Sequence, residues 1–335
     1  MCCNVIEAED CISADGTAGV ILWDYCYSIE NTDSLYISNA GLTDTIPNEI
    51  GSLINLSYLN LSNNDLSGSI PSTIGNLINL EHLDLSFNRQ SMWWFTTGGI
   101  DSIPAEIGNL ENLRYLNLSF LYIENIPIEI ENLTNLENLK LTWNNRIGYF
   151  DPNALQTIFS LSNLKILDLT NCGFSDSIGS EIGNMQNLER LRISGNNFSG
   201  SLPNELWSLE NLIEINASFI PLFMTSISNN FSGQIPESIG NLTNLRSLDL
   251  RNNEFSGPIP ESLFNLSSLD TLYLADNNFS STVPDNICLF ISDTSSVYTF
   301  ERNMLCPPYP ICDENIINFE MQQISDCGSD ACAEG

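Results

Sequence analysis

The chain contains 335 residues, 42% of them hydrophobic, and it carries a formal net charge of −32 because 42 acidic side chains outnumber 10 basic ones. Such an acidic surface repels nucleic acid phosphates and anionic membranes, and no apolar run reaches the length of about 18 residues that a transmembrane helix needs. We therefore predict neither a nucleic acid partner nor membrane insertion.

Residues 1–34 precede the repeated part of the chain and are predicted to form an N-terminal cap. Four of the ten cysteines lie here, and five more follow the last repeat, so the cysteines concentrate at the two ends. Disulfide-tied caps can cover the apolar ends of a repeat array, and disulfides are typical of exported proteins. We predict a disulfide-containing cap, with Cys11 and Cys26 as candidates, although no export signal is visible.

Residues 35–287 repeat a pattern of the form L-x-x-L-x-L-S-x-N-x-x-S-G-x-I-P-x-x-I-G-N-L. The commonest spacing between equivalent positions is 24 residues. The first strand leucines, or their isoleucine equivalent, are Leu35, Leu59, Leu83, Leu116, Leu139, Leu167, Leu191, Ile215, Leu248 and Leu272. A fixed period of this length predicts an α/β solenoid of about ten 24-residue leucine-rich repeats, with a parallel β-sheet on its concave face.

Each copy predicts the same local structure. Leu59 and Leu61 alternate inward as in a strand, and Asn64 begins the turn away from the sheet, where a buried amide can satisfy neighbouring backbone groups. Asparagine recurs at this position in most copies and predicts a ladder. The copies with Ala40, Leu121 and Ile220 at this position are expected to have a weaker ladder.

Three steps are longer than 24 residues and predict extensions near 89–97, 145–150 and 219–227. From the two longest extensions we select four aromatic residues as candidates for ligand binding: Trp93, Trp94, Phe95 and Phe219. Exposed aromatic loops suggest a binding site that the two extensions bracket. The alternative is that these loops fold back over the protein itself.

The last exposed strand position is aromatic in three consecutive copies, at Phe87, Phe120 and Trp143. This predicts an aromatic strip that could contact a ligand. Basic side chains at exposed strand positions are the candidates for polar contacts, and those selected are Arg114, Lys140, Lys165 and Arg192. The alternative is that these cations pair with acidic residues on neighbouring strands.

Residues 288–335 are predicted to form a C-terminal cysteine-rich cap and tail. The disulfide candidates here are Cys288, Cys306, Cys312 and Cys327. Cys172 is the only cysteine inside the array, at a turn position that usually holds asparagine, and we expect it to be a buried reduced thiol. A zinc site is disfavoured because the cysteine spacing lacks paired C-x2-C motifs.

The S-G-x-I-P segment, as in Ser67–Pro71, resembles the plant-specific class of leucine-rich repeats. The cap segments around Trp23–Cys26 and Cys306–Cys312 are more similar to those of secreted bacterial relatives. The resemblance implies extracellular or cell-surface recognition of a protein, peptide or glycan.

No catalytic motif or cofactor-binding pattern is present in the sequence, so we predict a non-enzymatic recognition module without a cofactor. Two alternatives stay open. The chain could be a structural or adhesive module of a larger cell-surface protein, or it could inhibit a secreted hydrolase.

Overall fold

The structure, a computed structural model, describes residues 11–89, 98–219, 228–290, 297–310 and 322. The chain comprises two compact units, Met1–Leu164 and Lys165–Gly335. Both are built from the predicted coils, in which a short strand is followed by a turn, an extended segment and a 3-10 helix.

The first unit begins with an antiparallel sheet, Cys11–Ile12, Ala18–Leu22 and Tyr25–Ser28, in which the predicted disulfide joins Cys11 to Cys26. The strands of its parallel sheet are Ser34–Tyr36, Tyr58–Asn60, His82–Asp84, Tyr115–Asn117 and Asn138–Lys140. Two further parallel strands are Gly68–Ser69 and Ile100–Ser102. Among the described residues of this unit, the 3-10 helices are Asn48–Ser52, Ser72–Asn76, Ala105–Asn109 and Ile128–Asn132, and the α-helices are Ile147–Phe150 and Ala154–Phe159.

The second unit repeats this plan. The strands of its parallel sheet are Ile166–Asp168, Arg190–Arg192, Glu214–Asn216, Ser247–Asp249, Thr271–Tyr273 and Val297–Thr299. A second set of parallel strands is Ser175–Asp176, Asn197–Gly200, Asn230–Gly233, Glu254–Gly257, Asn278–Thr282 and Met304–Cys306. The 3-10 helices are Ser180–Asn184, Asn204–Ser208, Glu237–Asn241 and Glu261–Asn265, and the α-helix is Ile287–Phe290.

The predicted strand register is confirmed. Leu35, Leu59 and Leu83 lie opposite one another on successive strands of the first unit, and Leu167, Leu191 and Ile215 do so in the second. All six side chains are buried. The apolar core therefore runs behind each sheet, and the residues on either side of each leucine form the sheet face.

The asparagine ladder is also confirmed, and it continues at one of the copies where the sequence predicted weakness, that of Ile220. The extension after Phe219 separates the strand from its ladder residue, and Asn229 takes the place that was expected for Ile220. Its side-chain nitrogen donates to the Ile193 and Ala217 carbonyls, at 3.0 Å each, and its oxygen accepts from the Phe198 N–H. The extension thus leaves the buried hydrogen bonds of this coil intact.

A strand beyond the predicted array was missed. Val297–Thr299 pairs in parallel with Thr271–Tyr273, and Tyr298 occupies the leucine register opposite Leu272. The ladder continues with Asn303, whose nitrogen donates to the Leu274 and Phe300 carbonyls.

The remaining cysteine predictions have different outcomes. Cys288 and Cys306 are disulfide-bonded, whereas Cys312 and Cys327 lie outside the described residues. Cys172 is a buried thiol, as expected, and its Sγ lies 3.7 Å from the Thr170 carbonyl oxygen.

Candidate ligand-binding site

Three aromatic residues form a stack in the first unit, which we call the turn column: Phe87, Phe120 and Trp143. Their ring centroids lie 4.2 Å and 5.5 Å apart, with interplanar angles of 15° and 14°. The sequence predicted this strip but placed it at the end of each strand. Instead the three residues lie in the turn that follows, with φ angles of 57°, 57° and 65°. The chain must reverse its direction there to leave the sheet.

The turn column occupies backbone that most other coils give to asparagine, aspartate or glycine, although the last coil has Arg302 there, with a φ angle of 54°. Positive φ angles occur at the same position in Asn39, Asn63, Asn171, Gly195, Asn252 and Asp276. A bulky residue in this left-handed region costs roughly 1–2 kcal/mol, and asparagine and glycine tolerate it better. Stacking stabilises the fold by about 0.5–1.5 kcal/mol for each aromatic pair. The fold therefore gains little from aromatic residues here, and such retained strain favours a role in binding.

The orientation of the rings determines what the turn column can contact. Phe120 is stacked between Phe87 and Trp143, so both of its faces are covered and its edge remains for a ligand. Phe87, at one end of the column, is 46% exposed. Sugars pack on open aromatic faces, whereas a row of ring edges is an apolar ridge with positive edge charge. This ridge suits apolar side chains and carbonyl oxygens.

A second stack, which we call the start column, lies at the first residue of three strands: Tyr58, His82 and Tyr115. Its centroid distances are 4.2 Å and 4.1 Å, and the rings are nearly parallel. Burial lowers the pKa of His82 below its usual value; Lys140 adds to this effect and Asp84 opposes it. His82 is therefore predominantly neutral at pH 7. The start column was not predicted. Its signal in the sequence is an aromatic residue directly before the strand leucine in three consecutive copies.

Between the two columns lies a polar floor that consists of the third strand residues Asn60, Asp84, Asn117 and Lys140. Asp84 accepts hydrogen bonds from the Ser86 N–H at 2.9 Å, the Ser86 hydroxyl at 2.6 Å and the Asn117 amide at 3.1 Å. Lys140 Nζ lies 5.2 Å from the Tyr115 ring centroid. The floor is thus held in position by its own hydrogen bonds.

The predicted cationic contacts are largely engaged within the protein. Arg114 pairs with Glu137 at 2.8 Å. Arg192 donates two hydrogen bonds to Glu214, at 2.7 and 2.9 Å, and this raises the pKa of its guanidinium. Lys165 is half-buried in the second unit. These contacts support the alternative interpretation, cross-strand ion pairing, for Arg114 and Arg192.

Several of the repeating coils match models of known protein families. Models described as leucine-rich repeats match residues 55–77, 163–185, 187–209 and 226–279. The fold is that of leucine-rich repeats. No curated protein matches the chain.

Solved leucine-rich-repeat structures resemble it. The plant peptide hormone receptor RGFR1 in complex with RGF2 is 25% identical with a TM-score of 0.61, over 89% of this chain and 49% of that one. A TDR receptor is 27% identical with a TM-score of 0.56, over 84% and 53%. The Leptospira interrogans protein LIC12759 is 26% identical with a TM-score of 0.52, over 84% and 81%. The chain spans about half the length of the two receptor chains.

The leucine-rich-repeat extensions are described in part. Trp93, Trp94 and Phe95 lie outside the described residues, and Phe219, half-buried, is the last residue before such a gap. The third extension contains the short helix Ile147–Phe150. The exposed aromatic side chains of this helix are Tyr149 (82%) and Phe150 (53%).

Neither a metal site nor a membrane-spanning helix is present in the described part of the chain. No group of three or more histidine, cysteine, aspartate or glutamate side chains there is arranged to hold a metal ion. Within the same ranges, no helix is long and apolar enough to cross a bilayer.

Proposed function

We propose that the protein is an extracellular, non-enzymatic recognition module that binds a polypeptide on the sheet face of its first unit. The observation that carries this proposal is the turn column, in which aromatic residues occupy backbone positions that most other coils give to asparagine, aspartate or glycine. One of the similar structures is described as a plant peptide hormone receptor in complex with RGF2, and this supports a polypeptide as the ligand. The cap disulfide Cys11–Cys26 supports an oxidising, extracellular environment.

We place the ligand in the groove between the start column and the turn column, above the polar floor. His82 precedes Phe87 by five residues, so at about 3.3 Å per residue the columns are at most about 17 Å apart. We infer that apolar side chains of the ligand contact the edges of the turn column. The polar floor, which includes Asp84 and Lys140, would then form hydrogen bonds with the ligand backbone.

Three finer assignments belong to the same proposal. We assign the repeats to the S-G-x-I-P class, with caps of the secreted bacterial kind; the similarity to the Leptospira protein supports the latter. We keep residues 1–34, 35–287 and 288–335 as cap, array and C-terminal cap. We also keep Trp93, Trp94, Phe95 and Phe219 as contact candidates.

The test replaces the turn column with the residue that other coils use. Peptides would be selected from a random displayed library against the wild-type protein. Affinities would then be measured for the variant Phe87→Asn, Phe120→Asn, Trp143→Asn. Removing a central aromatic contact costs on the order of 2 kcal/mol, so we expect the affinity to fall at least about 30-fold.

The matched control is Tyr25→Asn, which removes an aromatic residue that is 70% exposed on the N-terminal cap. This variant should bind the selected peptides as the wild type does. Circular dichroism would confirm that both proteins are folded. A folded triple variant with unchanged affinity would show that the turn column is not the contact surface.

A further inference from the structure

A hollow of about 550 Å³ opens in the first unit, on the part of the coils that follows the turn column. Its lining includes Ser67, Gly99, Asp101, Ser102, Tyr122 and Arg146. Sites for small molecules typically measure about 300–1,000 Å³. The hollow therefore has the size of a ligand pocket, and the proposed polypeptide groove does not use it.

One wall of the hollow contains a β-bulge. Where Gly68–Ser69 pairs with Ile100–Ser102, Gly68 lies opposite Ile100 and Ser69 lies opposite Ser102, so Asp101 is an extra residue. Asp101 is exposed and lines the hollow. Bulges redirect side chains and are common beside functional sites. This bulge places a carboxylate at the hollow.

A second wall of the hollow is built around Tyr122. The guanidinium carbon of Arg89, from the preceding coil, lies 4.4 Å from the ring centroid, and that of Arg146, from the following coil, lies 5.8 Å away. Arg146 also forms an ion pair with Glu124. The wall therefore combines donors and acceptors that are fixed by an aromatic ring and an ion pair.

Glycine is required where the two walls meet. Gly99 has a φ angle of 146°, and a Cβ atom there would lie 2.7 Å from Tyr122 Cδ2 and 2.8 Å from the Asn88 carbonyl oxygen. No other residue type fits without moving one of these groups. The close approach of the Gly99 backbone to Tyr122 shapes the hollow.

We propose that this hollow binds a neutral saccharide of one or two hexose units. Its lining mixes hydroxyl groups, the Asp101 and Glu124 carboxylates and the Arg146 guanidinium with a comparable amount of apolar surface. Vicinal hydroxyls of a sugar both donate and accept hydrogen bonds and match such a set. A net charge of −32 disfavours an anionic sugar.

The test is a titration of the full chain with glucose, galactose, mannose, N-acetylglucosamine and cellobiose, followed by saturation-transfer NMR and calorimetry. We expect at least one sugar to bind with a Kd on the order of 1 mM, which corresponds to about −4 kcal/mol. Asp101→Asn and Glu124→Gln keep side-chain size and should each weaken this binding at least tenfold.

The matched control is Glu261→Gln, which changes a carboxylate beside a second hollow, of about 410 Å³, in the second unit. It should leave the sugar affinity unchanged. The proposal is overturned if no sugar in the panel binds, or if the folded Asp101→Asn variant keeps the wild-type Kd. Asp101→Asn should not alter binding of the library-selected peptides, so a failure here is distinguishable from a failure of the polypeptide site.

Discussion

At the scale of the residue, the ladder asparagine holds two coils together through its side chain. Asn196 is fully buried, and its oxygen accepts from the Cys172 N–H at 3.0 Å and the Phe174 N–H at 3.1 Å. Its nitrogen donates to the Leu169 and Ile193 carbonyls, at 2.8 and 2.9 Å. Water cannot easily reach a fully buried site. The two N–H groups and the two carbonyls therefore depend on this one side chain for their hydrogen bonds.

Replacing this side chain tests the ladder. Asn196→Ala leaves buried donors and acceptors without partners, each of which costs about 1–3 kcal/mol. We expect the free energy of unfolding, measured by urea denaturation, to fall by on the order of 3 kcal/mol. Asn184→Ala, at an exposed position of the same unit, should change it by less than about 0.5 kcal/mol. Equal losses in the two variants would contradict the proposed role of the ladder.

Residue-level prediction from the sequence succeeded where one environment recurs in every coil. The ladder asparagines were predicted because a buried side-chain amide needs hydrogen-bond partners, and neighbouring backbone groups supply them. The turn column was predicted to lie on the strands. The alternation of apolar and polar residues indicates which side of the sheet a residue faces, but it does not indicate the φ angle of that residue. The available signal was the asparagine or glycine that occupies this position in other coils. The stack of Phe174, Phe198, Phe231, Phe255 and Phe279 was missed for a related reason, since each ring follows its coil's turn.

At the scale of the element, three successive strands each contribute one ring to the start column, and the rings stack because these strands are in register. His82 is stacked between tyrosines of the two neighbouring strands. Its folded-state pKa is lowered, first by burial. As pH falls, the unfolded chain therefore binds the proton before the folded chain does.

The start column should consequently be sensitive to pH. The stability that neutral His82 contributes is fully present above the unfolded pKa of about 6.5, and it declines as pH falls below this value. We expect the difference in unfolding free energy between the wild type and His82→Phe to shift in favour of the variant between pH 7 and pH 5. Phenylalanine keeps a stacking ring but does not titrate. A pH-independent difference in urea denaturation would show that His82 does not cause the effect.

Elements were predictable wherever the leucine period holds. The strand centred on Leu191 followed from the 24-residue step from Leu167, and the structure has it in that register. Val297–Thr299 was missed because the step from Leu272 to Tyr298 is 26 residues and the core leucine is replaced by tyrosine. The hollow could not be predicted, because the bulge at Asp101 depends on pairing between strands from two coils.

At the scale of the whole molecule, charge is the dominant property. Acidic residues outnumber basic ones by 32, and several arginines are already paired with acidic residues. Such pairs include Arg190 with Glu214 and Arg251 with Asp249. The surplus negative charge is therefore not neutralised, and its self-repulsion destabilises the folded state more than the expanded one.

Salt should therefore stabilise this protein. Raising the ionic strength from about 10 mM to about 1 M shortens the Debye length from about 30 Å to about 3 Å, which screens repulsion between distant carboxylates. Ion pairs at contact distance, such as Arg192 with Glu214 at 2.7 Å, are partly buried and are screened less. We expect the urea midpoint to rise with sodium chloride, and to rise equally with potassium chloride if screening is the cause. A midpoint that falls with both salts would mean that the arginine pairs contribute more to stability than the surplus carboxylates remove.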